Sequence, residues 1–364
     1  MLGPLKKFLV QVGVGANVGT ILVMLLLGYS GYVNPVEHPV LSSSGLAFPL
    51  FLLLNLGFLI AWLIFKPKMA LVPFVGFVIA YYPIRLYTPF NRSGEVPEDA
   101  IKVLSYNVWM FVAWEDRGRP NPILEYIKRE QADIVCLQEA STNEIGQARL
   151  DSFMNKRYAY HDTTRMGSGD NLAVYARYPI IKKEHIAYQS TDNHSSAFWL
   201  KMGQDTVIVV NNHLQSMKLS TQDKRQFVSL TSGRLGGDSL KAKSERLIDK
   251  ISRAASLRYP QAMAVSEYMQ RHADKPIICV GDFNDSPLSA ARRIMARGLT
   301  DCYVHAGNGP GVSYHHNRIY VRIDNILCSS HFTPYKCVVD NSIKTSDHYP
   351  ILCWMRKNTR EALK

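Results

Sequence analysis

Phe8 to Tyr29 runs 22 residues without a charged side chain, and Leu46 to Phe65 runs another 20. As helices, both match the roughly 20 residues that cross a bilayer, and buried core helices of that length in a soluble fold are improbable. A cleaved signal peptide explains neither the length of the first stretch nor the presence of the second. A third stretch, Met69 to about Tyr87, contains Pro73 and Pro83 and meets Arg85, and is expected as a third span. These features confine residues 1–90 to an α-helical transmembrane anchor of about three helices.

Lysines give the anchor a direction. Lys6 and Lys7 precede the first stretch, Glu37 and His38 follow it, and Lys66 and Lys68 separate the second from the third. The positive-inside rule places both lysine pairs in the cytoplasm. Three crossings then put everything after residue 90 on the non-cytoplasmic side of the cell membrane, whereas a re-entrant third stretch leaves it inside. The spans hold no internal charge pair of the kind that marks an ion path, which disfavours a channel or transporter.

The 47% hydrophobic content is concentrated in this anchor, and composition becomes that of a soluble protein beyond the polar linker "NRSGEVPED", Asn91 to Asp99. Residues 100–357 are expected to form one domain and 358–364 a tail, without internal repeats. Cys136, Cys279, Cys328 and Cys353 sit in apolar runs and read as core residues. Cys302 and Cys337 lie in loop-like surroundings, where a disulfide between them is an open alternative.

The soluble part alternates strands with helices, which points to a layered α/β fold. "IKVLSYNVW" is a strand that delivers Asn107, and a helix follows, with Asn121 as N-cap and Pro122 at its first position, up to about Glu130. "ADIVCLQEA" ends on Glu139, and "NLAVYARYPI" (171–180) follows the glycine-rich turn Gly167-Ser168-Gly169-Asp170. "TVIVVNNHL" delivers His213, "PIICVGDFND" delivers Asp282 and Asn284, "VRIDNILC" carries Asp324, and "SDHYPILCW" opens a final strand with Asp347 and His348. Each residue alone is more readily a turn former or a satisfied core group than a catalyst. Jointly they place metal-type and proton-transfer side chains at one strand end after another.

Together these motifs resemble the endonuclease/exonuclease/phosphatase superfamily, which includes DNase I-like nucleases, apurinic endonucleases, neutral sphingomyelinases and inositol polyphosphate 5-phosphatases. The resemblance covers about Ile101 to Met355. It implies a DNase I-like four-layer α/β/β/α sandwich and a hydrolase that cleaves phosphate esters with magnesium, manganese being the alternative. It also implies Glu139 as chief metal ligand, supported by Asn107 and Asp347. Asp282 would orient or deprotonate water, Asn284 would donate to a phosphate oxygen, and His348, held by Asp324, would stabilise the phosphate or transfer a proton. His213 would contact the phosphate or assist the leaving group. An inactive scaffold on the same fold is the alternative, disfavoured because every expected position is filled.

The substrate is less legible. Residues 217–260 carry ten Lys or Arg against four acids, a net of +6. A basic face beside a phosphate-cleaving site suits nucleic acid or anionic lipid headgroups, and its ordinary alternative is a solvated helix broken at Gly236 and Gly237. The tryptophan before Gly-Asp and the Cys-Asp-Arg that inositol phosphatases carry are replaced by Val280 and by Arg322-Ile323-Asp324, which disfavours that branch. The expected partners are thus the membrane and a phosphodiester or phosphomonoester in nucleic acid, nucleotide or lipid.

Overall fold

The computed structural model describes residues 2–92, 94–111, 121–143, 145–166, 170–190, 192–231 and 238–359, the side chains of 2, 3, 227, 229–231 and 238–243 excepted. Several expectations lie outside these residues: the turn at 167–169, the Gly236-Gly237 break, Arg234, the side chains of Lys241 and Lys243, Ser93 of the linker and most of the tail.

The N-terminal segment comprises helices α1 (Leu2–Gly28), α2 (Pro39–Ser43), α3 (Phe48–Phe65), α4 (Leu71–Ile79) and α5 (Tyr81–Tyr87). Two continuous helical stretches, Pro4–Gly28 and Pro39–Phe65, are long and apolar enough to cross a membrane. The third expected span is a pair, Pro67–Ile79 and Tyr81–Tyr87, bent by 65°. Pro83 explains the bend, because it has no N–H to offer the Ile79 carbonyl one turn earlier and its ring crowds that oxygen. The Tyr29 hydroxyl donates to the Ile79 carbonyl instead, at 3.0 Å.

Close approaches at small residues fix the packing. Gly13 abuts Trp62, Gly76 abuts Ile21, and Gly28 abuts both Phe48 and Pro83. α3 therefore runs antiparallel to α1, and the α4–α5 pair runs alongside α1 in the same direction. A hydrogen-bonded cluster fastens α1 to α3: Asn17 donates to Asn55 at 3.0 Å, Thr20 donates to Asn55 at 3.0 Å, and Trp62 donates to Asn17 at 3.2 Å. Both asparagines are fully buried between helices whose outer faces are apolar.

The remaining strands, in chain order, are β1 (Ile101–Asn107), β2 (Ile134–Gln138), β3 (Tyr160–Met166), β4 (Asp170–Ala176), β5 (Ile180–Ile186), β6 (Ser195–Met202), β7 (Asp205–His213), β8 (Ile277–Asp282), β9 (Thr300–Asp301), β10 (Asp324–Cys328), β11 (Phe332–Val339) and β12 (Ile351–Lys357). They form two sheets, ordered β11-β12-β1-β2-β4-β3 and β5-β6-β7-β8-β10-β9. Helices α6 (Pro122–Glu130) and α7 (Gln147–Met154) cover the first sheet, α9 (Asp238–Arg271) and α10 (Ala290–Met295) cover the second, and α8 (Thr221–Thr231) and α11 (Cys302–Ala306) complete the set. The result is the expected α/β/β/α sandwich.

The central strands read as unbroken apolar runs because both of their faces are buried. In β2, Ile134 and Cys136 turn into the core between the sheets while Val135 and Leu137 pack beneath the outer helices. β8 repeats the pattern, with Ile278 and Val280 inside and Ile277 and Cys279 outside. α6 begins as its sequence dictates: the Asn121 side chain accepts from the Ile123 and Leu124 amides, with Pro122 at the first helical position.

Several local expectations are corrected. The run 171–180 stops as a strand at Ala176, and Asp347 and His348 precede β12 rather than opening it, since Pro350 interrupts the ladder. Cys302 opens α11 and Cys337 lies in β11, yet both turn into the inter-sheet core, and all six cysteines are free and buried. The Cys302 sulfur instead sits 3.6 Å from that of Cys328.

The basic segment has a buried apolar face as well as the solvated one its charges suggest. α9 continues through Pro260 and buries Leu247, Ile251, Ala254 and Ala262 at helical spacing. Four of its cations are drawn into ion pairs: Lys218 with Asp192, Lys250 with Asp223, Arg253 with Asp249, and the fully buried Arg258 with Asp285.

Candidate active site

Register brings the second sheet's contribution together. His213 ends β7 opposite Asp282, which ends β8, and Asp282 is in turn paired with Asp324 at the start of β10. Gly281 makes this junction feasible. Its φ is +128°, and a Cβ there would lie 2.0 Å from the Asn212 carbonyl oxygen of the neighbouring strand. The glycine that interrupts "CVGDFND" thus lets β8 press against β7 where the two polar side chains emerge. The first sheet supplies Asn107 at the end of β1 and Glu139 just after β2.

Asp282 is the hub of the cluster. Asn107 Nδ2 donates to its Oδ2 at 3.2 Å and to Glu139 Oε1 at 3.0 Å. His213 Nε2 lies 3.7 Å from Asp282 Oδ2 and 3.7 Å from Glu139 Oε1, while His348 Nε2 lies 3.6 Å from Asp282 Oδ2. The Asn284 backbone N–H donates to Asp282 Oδ1 at 2.8 Å, and its side-chain amide donates to the Leu214 carbonyl at 2.9 Å. Asp347 Oδ1 stands 4.0 Å from His348 Nε2. All eight expected residues therefore join one connected cluster. Glu139 and Asn284 both hold positive φ, 50° and 52°, strained for side-chain-bearing residues and found where surrounding structure enforces it.

Two carboxylates orient the two histidines. Asp324 Oδ2 lies 2.8 Å from His348 Nδ1, and Asp170 Oδ1 lies 2.8 Å from His213 Nδ1. The sequence reading supplied the first partner and missed the second, because Asp170 stood in what read as a glycine-rich turn. Burial alone would lower both imidazoles, but Asp170, Asp282 and Glu139 raise His213 to about 10, and Asp324, Asp282 and Asp347 raise His348 to about 10. Burial pushes the Asp282 carboxyl up to about 6, against the pull of His348 and His213. Asp282 is thereby a buried carboxylate whose burial favours its neutral form while the two facing histidines favour its charged form.

The donor set fits a divalent ion. Among the described residues, the ligand-type atoms within 4.8 Å of one another belong to Asp282, Asp324 and His348, a trio that shares no member with the expected ligands Glu139, Asn107 and Asp347. Glu139 and Asp347 add partly exposed carboxylates facing the same cleft. Hard oxygen donors of this kind suit a hard cation.

Beneath the site, Arg258 joins the loops that carry it. Its Nε donates to Asp285 at 3.0 Å, just past Asn284, and its Nη1 donates to the Gln215 carbonyl at 2.9 Å, two residues past His213. Sequence reasoning counted Arg258 as surface charge. At the rim, Lys224 donates to the Tyr314 hydroxyl at 2.6 Å, and burial lowers its ammonium from the usual range.

Comparisons with known proteins bear on the fold. Residues 104–348 match the Endonuclease/Exonuclease/phosphatase family, and residues 6–87 match a family described as a domain of unknown function (DUF8431). No curated protein matches the chain. Among solved structures, truncated Caenorhabditis elegans TDP2 is 16% identical with TM-score 0.51, covering 72% of this chain and 99% of that one. The human Nocturnin catalytic domain with bound sulfate is 16% identical with TM-score 0.50, covering 72% and 97%. An endonuclease/exonuclease/phosphatase from Beutenbergia cavernae is 17% identical with TM-score 0.51, covering 71% and 72%. At such identities the structural likeness is one of fold, and it is the match over residues 104–348, more than half of the chain, that makes this protein a member of the endonuclease/exonuclease/phosphatase family.

Proposed function

We propose that the chain is a membrane-anchored, magnesium-dependent phosphoesterase whose catalytic domain lies on the non-cytoplasmic side. The observation that carries this reading is Asp282 standing 3.6 and 3.7 Å from two histidines, each held by its own aspartate, on the floor of a cleft. A structural cluster needs no such pair of aspartate-held histidines facing one carboxylate.

The roles follow from charge and position. Asp282 accepts a proton from the attacking water and aims its oxygen at phosphorus. The imidazolium groups of His213 and His348 neutralise phosphate oxygens and hold protons for the departing oxygen, and Asn284 has a second amide hydrogen for the phosphate. Asp170 and Asp324 keep each ring oriented with Nε2 toward the cleft. Glu139 would hold the metal, with Asn107 and Asp347 in support, and the bound ion would supply positive charge to the phosphate and acidify water. Manganese satisfies the same oxygen donors.

Helix directions support the placement of the domain. Gly28, Phe48 and Tyr87 cluster at the catalytic end of the anchor, and the chain leaves α3 toward Lys66 and Lys68 at the opposite end. Counting the bent α4–α5 pair as a span puts both lysine pairs opposite the catalytic domain.

The test is hydrolysis of a chromogenic phosphodiester by the full-length protein in detergent, with and without chelator. Turnover that requires magnesium and is lost in Glu139→Gln and His348→Ala is expected. Turnover indifferent to chelation and to both substitutions would sink the proposal.

A further inference from the structure

The catalytic cleft does not end within the catalytic domain. A cavity of about 590 Å³ runs from Glu139, His213, Asp282 and His348 to Leu46, Ala47 and Leu50, at the entry and first turn of membrane helix α3. Leu219, Ile251 and Ile319 line the same cavity, so both parts of the chain contribute apolar side chains to it. Cleft volumes of this size hold drug-sized ligands, or the headgroup and nearest acyl carbons of a larger amphiphile whose remainder lies outside.

The anchor and the catalytic domain are fastened together at this junction. Leu288, six residues beyond Asp282, is buried among Met24, Leu27, Phe48 and Ala80. At Gly31, a Cβ would lie 2.2 Å from the Leu288 carbonyl oxygen, so the chain passes the catalytic loop at backbone contact. Arg293 donates to the Gly31 carbonyl at 2.8 Å, Ser256 donates to the Pro35 carbonyl at 2.7 Å, and Arg322 donates to the Leu86 carbonyl at the end of α5. The cleft mouth is thus held at the membrane boundary, not tethered at a distance by a linker.

We infer that the substrate is a phospholipid drawn from the leaflet in which the anchor sits, with its phosphate at Asp282 and its acyl portion between α3 and the Leu219–Ile251–Ile319 wall. This rests on the phosphoesterase reading and names its substrate class. The reaction is hydrolysis: a water oxygen bonds to phosphorus, the bond from phosphorus to the ester oxygen breaks, one water proton passes to Asp282, and an imidazolium proton passes to the departing oxygen. Lys224 stands at the rim as a cation for the headgroup region. A nucleic acid would need a continuous cationic track, whereas Lys218, Lys250, Arg253 and Arg258 are engaged in ion pairs within the chain.

The full-length protein would be assayed on mixed micelles containing phosphatidic acid, phosphatidylglycerol, phosphatidylcholine or sphingomyelin, on bis(p-nitrophenyl) phosphate, and on a single-stranded DNA oligonucleotide. Glu139→Gln would define background. At least one lipid should be cleaved with kcat/KM about 100-fold above the soluble diester, because binding energy from the remote acyl portion is available only to the lipid. Ala47→Trp and Leu50→Trp, at exposed cleft-lining positions just before and within the first turn of α3, should each lower the lipid-to-diester ratio of kcat/KM about tenfold, within the range typical of altered apolar pockets. Thermal melts would verify that both variants fold. Cleavage of the diester or oligonucleotide without any lipid, or an unchanged ratio in both variants, would overturn the lipid assignment and leave the phosphoesterase reading intact. No Glu139-dependent turnover of any substrate would overturn both.

Discussion

The anchor and the catalytic sandwich are built inside out with respect to each other. In the anchor, large apolar side chains face outward, as with Leu53 at 66% and Phe65 at 75% exposure, while Asn17 and Asn55 are fully buried. In the sandwich, Val103, Ile134, Phe198 and Ile326 are fully buried, and charged groups such as Lys128 and Arg177 stand outside. In water, apolar burial drives packing; in lipid it drives nothing between helices, which hold together through close packing and polar contacts. Buried polar side chains therefore fasten helices to one another in the first half, whereas in the second the apolar core does the fastening and polar groups are free to gather at the site.

This contrast can be broken at four points, the largest first. Asp282→Asn should lower kcat on a chromogenic diester by roughly 1,000-fold or more, as loss of a general base does, with little change in melting temperature. An equal loss of stability would make Asp282 a structural residue. Arg258→Ala should destabilise the sandwich by about 3 kcal/mol or more, since it leaves Asp285 buried without its partner. Arg253→Ala, whose pair with Asp249 is exposed, should leave the denaturant midpoint unchanged.

His194 provides the pH test. It is buried with both ring nitrogens unpartnered, and burial lowers its pKa to about 4. The unfolded chain binds this proton below about 6.5 while the folded chain does not, so stability present above that pH is lost as pH falls from about 6.5 toward 4. His194→Phe should recover about 1 kcal/mol at pH 5.5 relative to pH 7.5, read from paired unfolding curves. The smallest loss above zero belongs to the N-terminal helices: Asn55→Leu should cost only about 0.6 kcal/mol, measured by detergent-denaturant titration, because hydrogen bonds between membrane helices contribute little on average. A cost as large as that of Arg258→Ala would remove the distinction between the two halves.

What the sequence revealed follows the same division. Interior strands such as β2, β7 and β8 were legible because burial on both faces leaves unbroken apolar runs, and their terminal polar residues stood out against them. Strands β3, β5, β9 and β11 were missed, and each is an edge strand of its sheet. "IIKKEHI" in β5 shows why: edges carry charges that discourage pairing with other chains and erase the apolar signal. β6 was missed although it lies inside its sheet. Asp170 and Arg258 were misread because their value depends on partners 43 and 27 residues away, Asp170 with His213 across the two sheets and Arg258 with Asp285. The cleft wall from α3 was equally invisible, since "GLAFPL" carries no polar residue to mark it.

Leu288 ties the fate of the two halves together. It lies six residues downstream of Asp282 and is covered by helices that end before the linker begins. A chain severed at residue 91 would bare Leu288 to water, and the loop that follows Asp282 and Asn284 would lose the helices packed against it. The N-terminal helices thus pack as part of the catalytic domain, and a truncated form lacking them should aggregate more readily than the full chain.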